Sequence, residues 1–243
     1  MGHNPLDQFF VSPVLKFVPF GIDLTFTNAS LFMMLASSLC LAYLWAALRA
    51  PKSIPSKLQM SAELVHKMVV QMVGSTVGEH HGKKFIPLIF SIFLFVLSSN
   101  LCGMLPKSFA TTSQIIITFA LSSVVFITIT VFGLFSHGFG FFKIFLPSGC
   151  PLWLAPLMAV IELFSFLAKP ISLALRLAAN ITSGHILLHV IGGAIVSMFI
   201  LIKLFPFALV VVLVGFEFFV AILQAYIFAV LSCVYLADVI NLH

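Results

Sequence analysis

The chain has 243 residues, of which 61% are hydrophobic and only 8% are charged. A soluble globular domain usually carries roughly 25% charged residues, so this composition excludes one and indicates an integral membrane protein. The net charge of +5 does not indicate nucleic-acid binding, because half of the lysines cluster in one loop and none forms a patch with interleaved aromatic residues. Long charge-free apolar runs favour spanning helices over a β-barrel, whose strands would alternate polar and apolar residues. The composition therefore predicts an all-α polytopic membrane protein.

The first part of the chain predicts a short lead-in and then a membrane span. Residues 1–28 contain three prolines and two aspartates, which predicts an irregular or surface-lying segment. Thr27 and Asn28 are residue types that cap helices, and the eighteen residues after position 30 carry no charge. We predict the first span over 29–49.

Positive charges cluster between residues 49 and 84, where six Lys or Arg residues stand against two Glu. The positive-inside rule places this segment on the cytoplasmic or matrix side. Residues 52–80 repeat apolar side chains at helical spacing, which predicts an amphipathic helix on the membrane surface or on a partner. We interpret His80 and His81 as part of a solvated loop rather than a metal site. The apolar positions of the helix are Leu58, Met60, Leu64, Val65, Met68, Val69, Met72 and Val73.

Two further apolar runs, Phe85–Leu105 and Phe109–Phe135, predict a transmembrane hairpin over 85–135 with a tight turn at residues 106–108. Asn100 and Gln114 lie near this turn. We interpret both as groups that hydrogen-bond neighbouring helices.

The last two apolar stretches, 152–202 and 204–240, are too long for ordinary spans. As helices they would measure about 75 Å and at least about 50 Å, against a bilayer core of about 30 Å. We therefore predict that they tilt steeply, lie nearly horizontal or break, with Pro156 and Pro170 as possible bends in the first. No internal repeat is visible, so we predict one membrane domain over 1–243. About five membrane-embedded helices and one amphipathic surface helix are expected.

Residues 161–190 place two cations, one carboxylate and two histidines inside an otherwise apolar stretch. Ionisable groups at bilayer depth cost about 3 kcal/mol each and mark charge-handling sites. On an ideal helix, seven polar residues fall within about 40° of one meridian, while His185 and His189 project to the opposite side. We call these seven the polar stripe: Glu162, Ser165, Lys169, Ser172, Arg176, Asn180 and Ser183.

Counting spans from the positive loop predicts an N-terminus on the outer side and a C-terminus on the inner side. On that topology Glu162 lies near the inner surface and Arg176 roughly midway. Three acid–base groups lie in the outer half, and they are His185, His189 and Glu217. Gln224 follows Glu217 on about the same helical face and leads inward.

These groups predict a proton path that a fixed cation interrupts. Carboxylates and imidazoles exchange protons near neutral pH, whereas a guanidinium stays charged. Protons cannot pass through Arg176 itself, so a path interrupted by this residue needs a mobile group that carries protons past it. The nearest anion on the polar stripe, Glu162, is about 21 Å from Arg176 on a straight helix. We expect the partner of Arg176 on another chain.

Other interpretations remain open from these residues. Lys169 either packs and snorkels beside Pro170 or lines a channel. His185, His189 and Glu217 have metal-ligand spacing, but a structural zinc site needs four ligands, so we predict no metal and no cofactor.

A stand-alone channel or transporter would show inverted repeats, which the sequence lacks. A membrane scaffold would tolerate apolar replacement of the polar stripe.

Three segments resemble subunit a of the F-type ATP synthase. PISLALRLAANITSGHILLH, residues 170–189, resembles the family signature, whose essential membrane arginine falls on Arg176. FEFFVAILQAYIFAVL, residues 216–231, is similar to the last helix, with the acidic or histidine position on Glu217 and the glutamine on Gln224. PLMAVIELFSFLAKP, residues 156–170, resembles the start of the long horizontal helix, whose carboxylate falls on Glu162.

The residues at positions 185 and 217 differ from those in some bacterial members of that family. Those members carry glutamate at the position of His185 and histidine at the position of Glu217, so the two residue types are exchanged here. A proton can still pass between them. Asn180 is carried over as a polar neighbour that orients Arg176 or water.

The resemblance implies a proton-translocating stator subunit of the F0 sector with no nucleotide site of its own. Protons would enter from the outer side past His185, His189 and Glu217 and neutralise a carboxylate on a ring of c subunits. They would leave on the inner side past Glu162, while Arg176 blocks a direct leak. The implied partners are the c-subunit ring, the peripheral-stalk and other F0 subunits, and the lipid bilayer. The implied location is the mitochondrial inner membrane, or alternatively a bacterial inner membrane.

Overall fold

The computed structural model describes residues 12–15, 25–49, 54–78, 82–104, 109–145, 154–197 and 204–240. In these ranges the chain forms two short strands and six α-helices. The strands are β1 (Pro13–Leu15) and β2 (Phe26–Thr27). The helices are α1 (Asn28–Leu48), α2 (Lys57–Val77), α3 (Ile86–Gly103), α4 (Ile115–His137), α5 (Ala155–Ser197) and α6 (Leu204–Ile240). Short 3-10 segments occupy Lys83–Phe85, Thr111–Ser113 and Gly138–Phe145.

Five helical stretches in the described residues are long and apolar enough to cross a membrane. They are Asn28–Leu48, Lys83–Gly103, Ile115–His137, Ala155–Ile195 and Leu204–Ile240. This confirms the predicted all-α polytopic class. The turn at 106–108, His80 and His81 lie outside the described residues, so the predictions made for them stay predictions.

Helix α1 begins at a capped end, as predicted. The Thr27 hydroxyl accepts a hydrogen bond from the Ser30 amide at 3.4 Å, which satisfies one of the free amide groups of the first turn. Just before it, β1 pairs with β2 in antiparallel orientation, with Pro13 opposite Thr27. This pairing corrects the expectation of an irregular lead-in for these few residues. A proline can begin an edge strand because its missing donor faces away from the ladder.

Helix α2 confirms a helix in the region where an amphipathic one is predicted. Val69 and Val73 are buried against the chain, whereas Met60 and Leu64 are exposed. At 100° per residue, these two project about 180° and 140° away from Val69. The polar Gln59, only 6% exposed, takes a place on the buried face. Two apolar residues of α2 thus face away from the chain, and the predicted contact with a membrane surface or a partner stays a prediction.

Contacts divide the chain into two compact units, and α3, α5 and α6 contribute segments to both. The first unit is built from Met1–Arg49, Leu94–Ile115 and Leu177–Tyr226. Within it, the Asn100 side-chain amide on α3 donates to the Ala221 carbonyl oxygen on α6 at 3.0 Å. The Thr182 hydroxyl donates to the Ser113 carbonyl oxygen at 3.3 Å. Asn100 is thus confirmed as a helix–helix hydrogen-bonding group.

The second unit is built from Ala50–Phe93, Ile116–Arg176 and Ile227–His243. Aromatic contacts pack its core, with ring centroids 4.5 Å apart for Phe85 and Phe132 and 4.7 Å apart for Phe126 and Phe166. Gly133 on α4 lies so close to α6 that an added Cβ would stand 2.2 Å from the Val239 Cγ1 atom. The glycine permits this close helix approach.

Helices α5 and α6 are longer than a bilayer core. Their 43 and 37 residues correspond to about 65 Å and 56 Å at 1.5 Å per residue, against about 30 Å of hydrocarbon. Helix α5 continues through Pro170. The exceptional lengths are confirmed, and the tilt that they imply stays a prediction.

Candidate functional site

Every residue of the polar stripe is at least partly exposed on α5. The helix turns a different face toward the rest of the chain. That buried face carries Phe166, Leu173, Ala174, Leu177, Ala178 and Ile181. Because apolar side chains recur there at helical spacing, the packing of α5 leaves much of its polar side exposed.

Arg176 is exposed near the middle of this stripe. Among the described residues it forms no hydrogen bond and no ion pair. Its charge acts electrostatically on the Tyr235 hydroxyl of α6, within the same unit. The chain therefore presents a permanent cation on an open helix face, and no anion from the described residues lies beside it.

His185 and Glu217 lie together in the first unit. His185 Nε2 is 3.8 Å from Glu217 Oε1, and Glu217 is only 7% exposed. This separation is longer than a hydrogen bond and within ion-pair range when the imidazole is protonated. Gly184 makes room for the carboxyl group, because a Cβ atom there would stand 2.7 Å from Glu217 Oε1.

Asn180 and Gln224 form a second polar contact between α5 and α6. The Asn180 amide nitrogen donates to Gln224 Oε1 at 2.9 Å, and Gln224 is fully buried. The carbonyl of Ala221, between Glu217 and Gln224 along α6, accepts the bond from Asn100.

These contacts define a polar cluster in the first unit, composed of the buried Asn100, Glu217 and Gln224, the partly buried His185 and the exposed Asn180. Sequence reasoning gave Asn100 only a helix-packing role. Its place beside α6 could not be anticipated, since 121 residues separate it from Ala221.

A cavity of about 400 Å³ adjoins the cluster. Polar groups of Asn180, Ser183 and Glu217 line it together with apolar side chains such as Leu213 and Phe216. A water molecule occupies about 30 Å³ in the liquid, so the space is large enough for a hydrated path beside Glu217.

The structure does not bring all predicted site residues together. His189 is exposed, and its Nδ1 atom lies 3.2 Å from the His185 carbonyl oxygen in its own helix. Glu162 is partly exposed and makes no hydrogen bond or ion pair within the described ranges. Nor do the described residues contain a group of three or more His, Cys, Asp or Glu side chains that could hold a metal ion.

A contact that sequence reasoning missed lies in the second unit. Lys169 Nζ is 2.7 Å from Asp238 Oδ2. Asp238 stands 69 residues further along the chain, and nothing in its local sequence identifies its partner. Lys169 is therefore an ion-paired residue beside Pro170.

The comparison with known protein families agrees with these features. The family described as ATP synthase A chain matches residues 30–237, which is most of the chain and includes Arg176, the polar cluster and Lys169. The chain therefore belongs to the ATP synthase A chain family, and it is a multi-pass, proton-translocating subunit of the F0 sector.

Proposed function

We propose that this chain provides two offset half-channels to a rotating ring of c subunits and so couples proton flow to ATP synthesis. The observation that carries the proposal is the uncovered Arg176, which has no anion beside it in the described part of its own chain. A buried or membrane-embedded cation requires a partner. A carboxylate on each passing c subunit supplies one for part of every cycle.

Arg176 has two tasks in this mechanism. It favours the ionised form of the ring carboxylate as that group passes, because opposite charges attract strongly where water is scarce. It also keeps protons from crossing directly between the half-channels, since a guanidinium does not release its proton at physiological pH.

The outer half-channel uses the polar cluster and its cavity. Glu217 and His185, 3.8 Å apart, are acid–base groups that can take up and release a proton near neutral pH. Asn180 and Gln224 cannot carry a charge, and their amides orient water or the ring carboxylate. His189 stands nearer the outer entrance.

The inner half-channel includes Glu162 at the far end of the polar stripe. In this orientation the N-terminus lies on the outer side and the C-terminus on the matrix or cytoplasmic side. Each proton that moves down 100 mV releases about 2.3 kcal/mol. The ring transmits this free energy to ATP formation elsewhere in the complex. The peripheral stalk holds the subunit still, and the membrane is the mitochondrial inner membrane or, alternatively, a bacterial one.

ATP-driven proton pumping in membrane vesicles that carry the assembled complex tests this proposal. We expect Arg176→Ala to lower pumping at least tenfold and to raise passive proton leak after removal of the soluble sector. Glu217→Gln removes an acid–base group but keeps Arg176, so it should lower pumping without raising the leak.

Arg49 provides a matched control, because it is the other arginine of the chain and stacks on the Trp45 ring at 4.7 Å. Arg49→Ala should pump like the unmodified complex. Pumping by Arg176→Ala within twofold of the unmodified complex, at equal subunit content, would refute the proposed role of the arginine.

A further inference from the structure

The ion pair between Lys169 and Asp238 joins α5 to α6 within the second unit. Its Nζ–Oδ2 distance of 2.7 Å is that of a short charge-assisted hydrogen bond. Lys169 is 20% exposed and Asp238 43% exposed at their side chains. Ionisable residues in membrane-spanning segments are retained mostly where they pair with one another. The ion pair therefore explains how Lys169 and Asp238 are both accommodated in long apolar helices.

Two aromatic rings hold the Lys169 ammonium group on its other sides. Its Nζ atom lies 5.6 Å from the centroid of the Phe166 ring and 5.4 Å from that of Tyr235. Both distances are in the range of cation–π attraction. The lysine head is therefore fixed in one place, whereas a snorkelling lysine would leave its head group mobile.

The same region also receives hydrogen bonds on its backbone. The Ser122 hydroxyl donates to the Pro170 carbonyl oxygen at 2.6 Å, and the Tyr235 hydroxyl makes a long bond of 3.5 Å to the Lys169 carbonyl oxygen. Proline lacks an amide hydrogen and clashes with the preceding turn, so a helix is weakest there. Contacts from α4 and α6 thus converge on the weakest point of α5.

Arg176 lies seven residues after Lys169. Seven residues turn a helix by about 700°, so both side chains lie within about 20° of one meridian and about 10 Å apart along the axis. Tyr235 contacts Lys169 and is within electrostatic range of Arg176. A rotation of α5 about its axis beside Pro170 would therefore carry Arg176 with it.

We propose that Lys169, Asp238, Tyr235 and Ser122 form a clamp that fixes the side of α5 on which the Arg176 side chain lies. We call these four residues the Pro170 clamp. They are positioning residues, because they fix the rotation of α5 beside its proline and thereby hold the guanidinium on the uncovered side. This inference rests on the function proposed above for Arg176.

Charge exchange across the ion pair tests the clamp in membrane vesicles that carry the full complex. The variants are Lys169→Gln, Asp238→Asn and the double exchange Lys169→Asp with Asp238→Lys. The readouts are protons pumped per ATP hydrolysed and passive leak after removal of the soluble sector. Both are normalised to the amount of this subunit in the membrane. A merely structural role would lower the amount of subunit without changing protons pumped per ATP.

We expect each neutral variant to lower protons pumped per ATP at least threefold and to raise the leak. The double exchange should restore pumping to within twofold of the unmodified complex. Lys67→Gln is the matched control, since this lysine is exposed on α2, and it should change neither readout. If a neutral variant is lost from the membrane, the conservative Lys169→Arg and Asp238→Glu variants are compared, and each should keep at least half of the pumping.

The clamp is refuted if the neutral variants pump normally per ATP, or if the double exchange pumps no better than either single variant. These results are distinguishable from failure of the proposed function. Normal pumping by Arg176→Ala would remove the proposed function and the clamp together. Loss of pumping in Arg176→Ala with normal pumping in Asp238→Asn would remove only the clamp.

Discussion

The side-chain amide of Asn180 donates to the side-chain oxygen of Gln224 at 2.9 Å, which joins an exposed residue of the polar stripe to a fully buried residue of α6. This bond extends the polar stripe into the interior of the first unit. It gives α5 and α6 a polar contact between surfaces that are otherwise mostly apolar.

Removing one partner of this bond should destabilise the protein. Asn180→Leu leaves the Gln224 oxygen buried without a donor, a loss of about 1–3 kcal/mol in the free energy of unfolding. Thermal unfolding of the purified F0 sector should show a lower midpoint. The double variant with Gln224→Leu should recover part of the loss, because an apolar pair leaves no unpaired group. An unchanged midpoint in Asn180→Leu would contradict this.

Gly184→Ala should impair proton pumping with little effect on folding. The added methyl group would stand 2.7 Å from Glu217 Oε1 and 3.1 Å from its Cδ atom, so the carboxyl group must shift. A side-chain end moves at small cost in stability, but its distance to His185 changes. We expect at least a threefold loss of ATP-driven pumping at unchanged subunit content.

Gly192 on the same helix is the matched control for this variant, because nothing lies within 4 Å of a Cβ atom built there. Gly192→Ala should pump normally. Equal pumping by both alanine variants would show that the position of the Glu217 carboxyl group does not limit transport.

Exchanging the members of the acid–base pair should be better tolerated than changing one. His185→Glu alone places two carboxylates at a site where the present pair stands 3.8 Å apart, and like charges at that distance disfavour ionisation of both. We expect at least a tenfold loss of pumping. Adding Glu217→His restores one carboxylate and one imidazole, and pumping should return to within fivefold. A double variant no better than His185→Glu would exclude proton exchange between these positions.

Gly133→Ala should destabilise the second unit. Its methyl group would overlap the Val239 side chain, 2.2 Å away, and approach the Phe141 ring at 2.9 Å. Overpacking of this kind costs about 1–3 kcal/mol. The thermal unfolding midpoint of the purified sector should fall. Gly140→Ala, whose nearest neighbour would be 3.9 Å away, should leave it unchanged, and a similar fall in both variants would argue against the close approach as the cause.

Local patterns were sufficient to predict the helices. The charge-free run after Thr27, the periodic apolar residues of α2 and the long stretch through Pro170 each depend on neighbours within a few turns. The paired strands before α1 were missed because their three and two residues are too short to produce a periodic signal. The side of α2 that packs against the chain could not be predicted from the sequence, because several of its faces are apolar enough to be buried.

The site was predictable where residues share one helix and not where they meet across helices. The polar stripe follows from helical geometry alone, and its exposure agrees with an arginine that has no anion beside it on its own helix. The partners of Asn100 and Lys169 depend on how α3, α5 and α6 pack, since the contacts span 121 and 69 residues. The role of Gly184 could not be predicted from the sequence. A side chain is excluded at this position only because the Glu217 carboxyl group lies against it in the folded chain.

Gly184 also has a consequence for the intrinsic helicity of α5. Glycine inside a helix is less favourable than alanine by about 1 kcal/mol, since it has more backbone freedom to lose. A sequence optimised only for thermostability would replace it early, because such replacements usually succeed. In this helix the substitution would fill the space in which the carboxyl group lies. Glycine at position 184 thus makes the helix locally weaker and leaves room for the Glu217 carboxyl group.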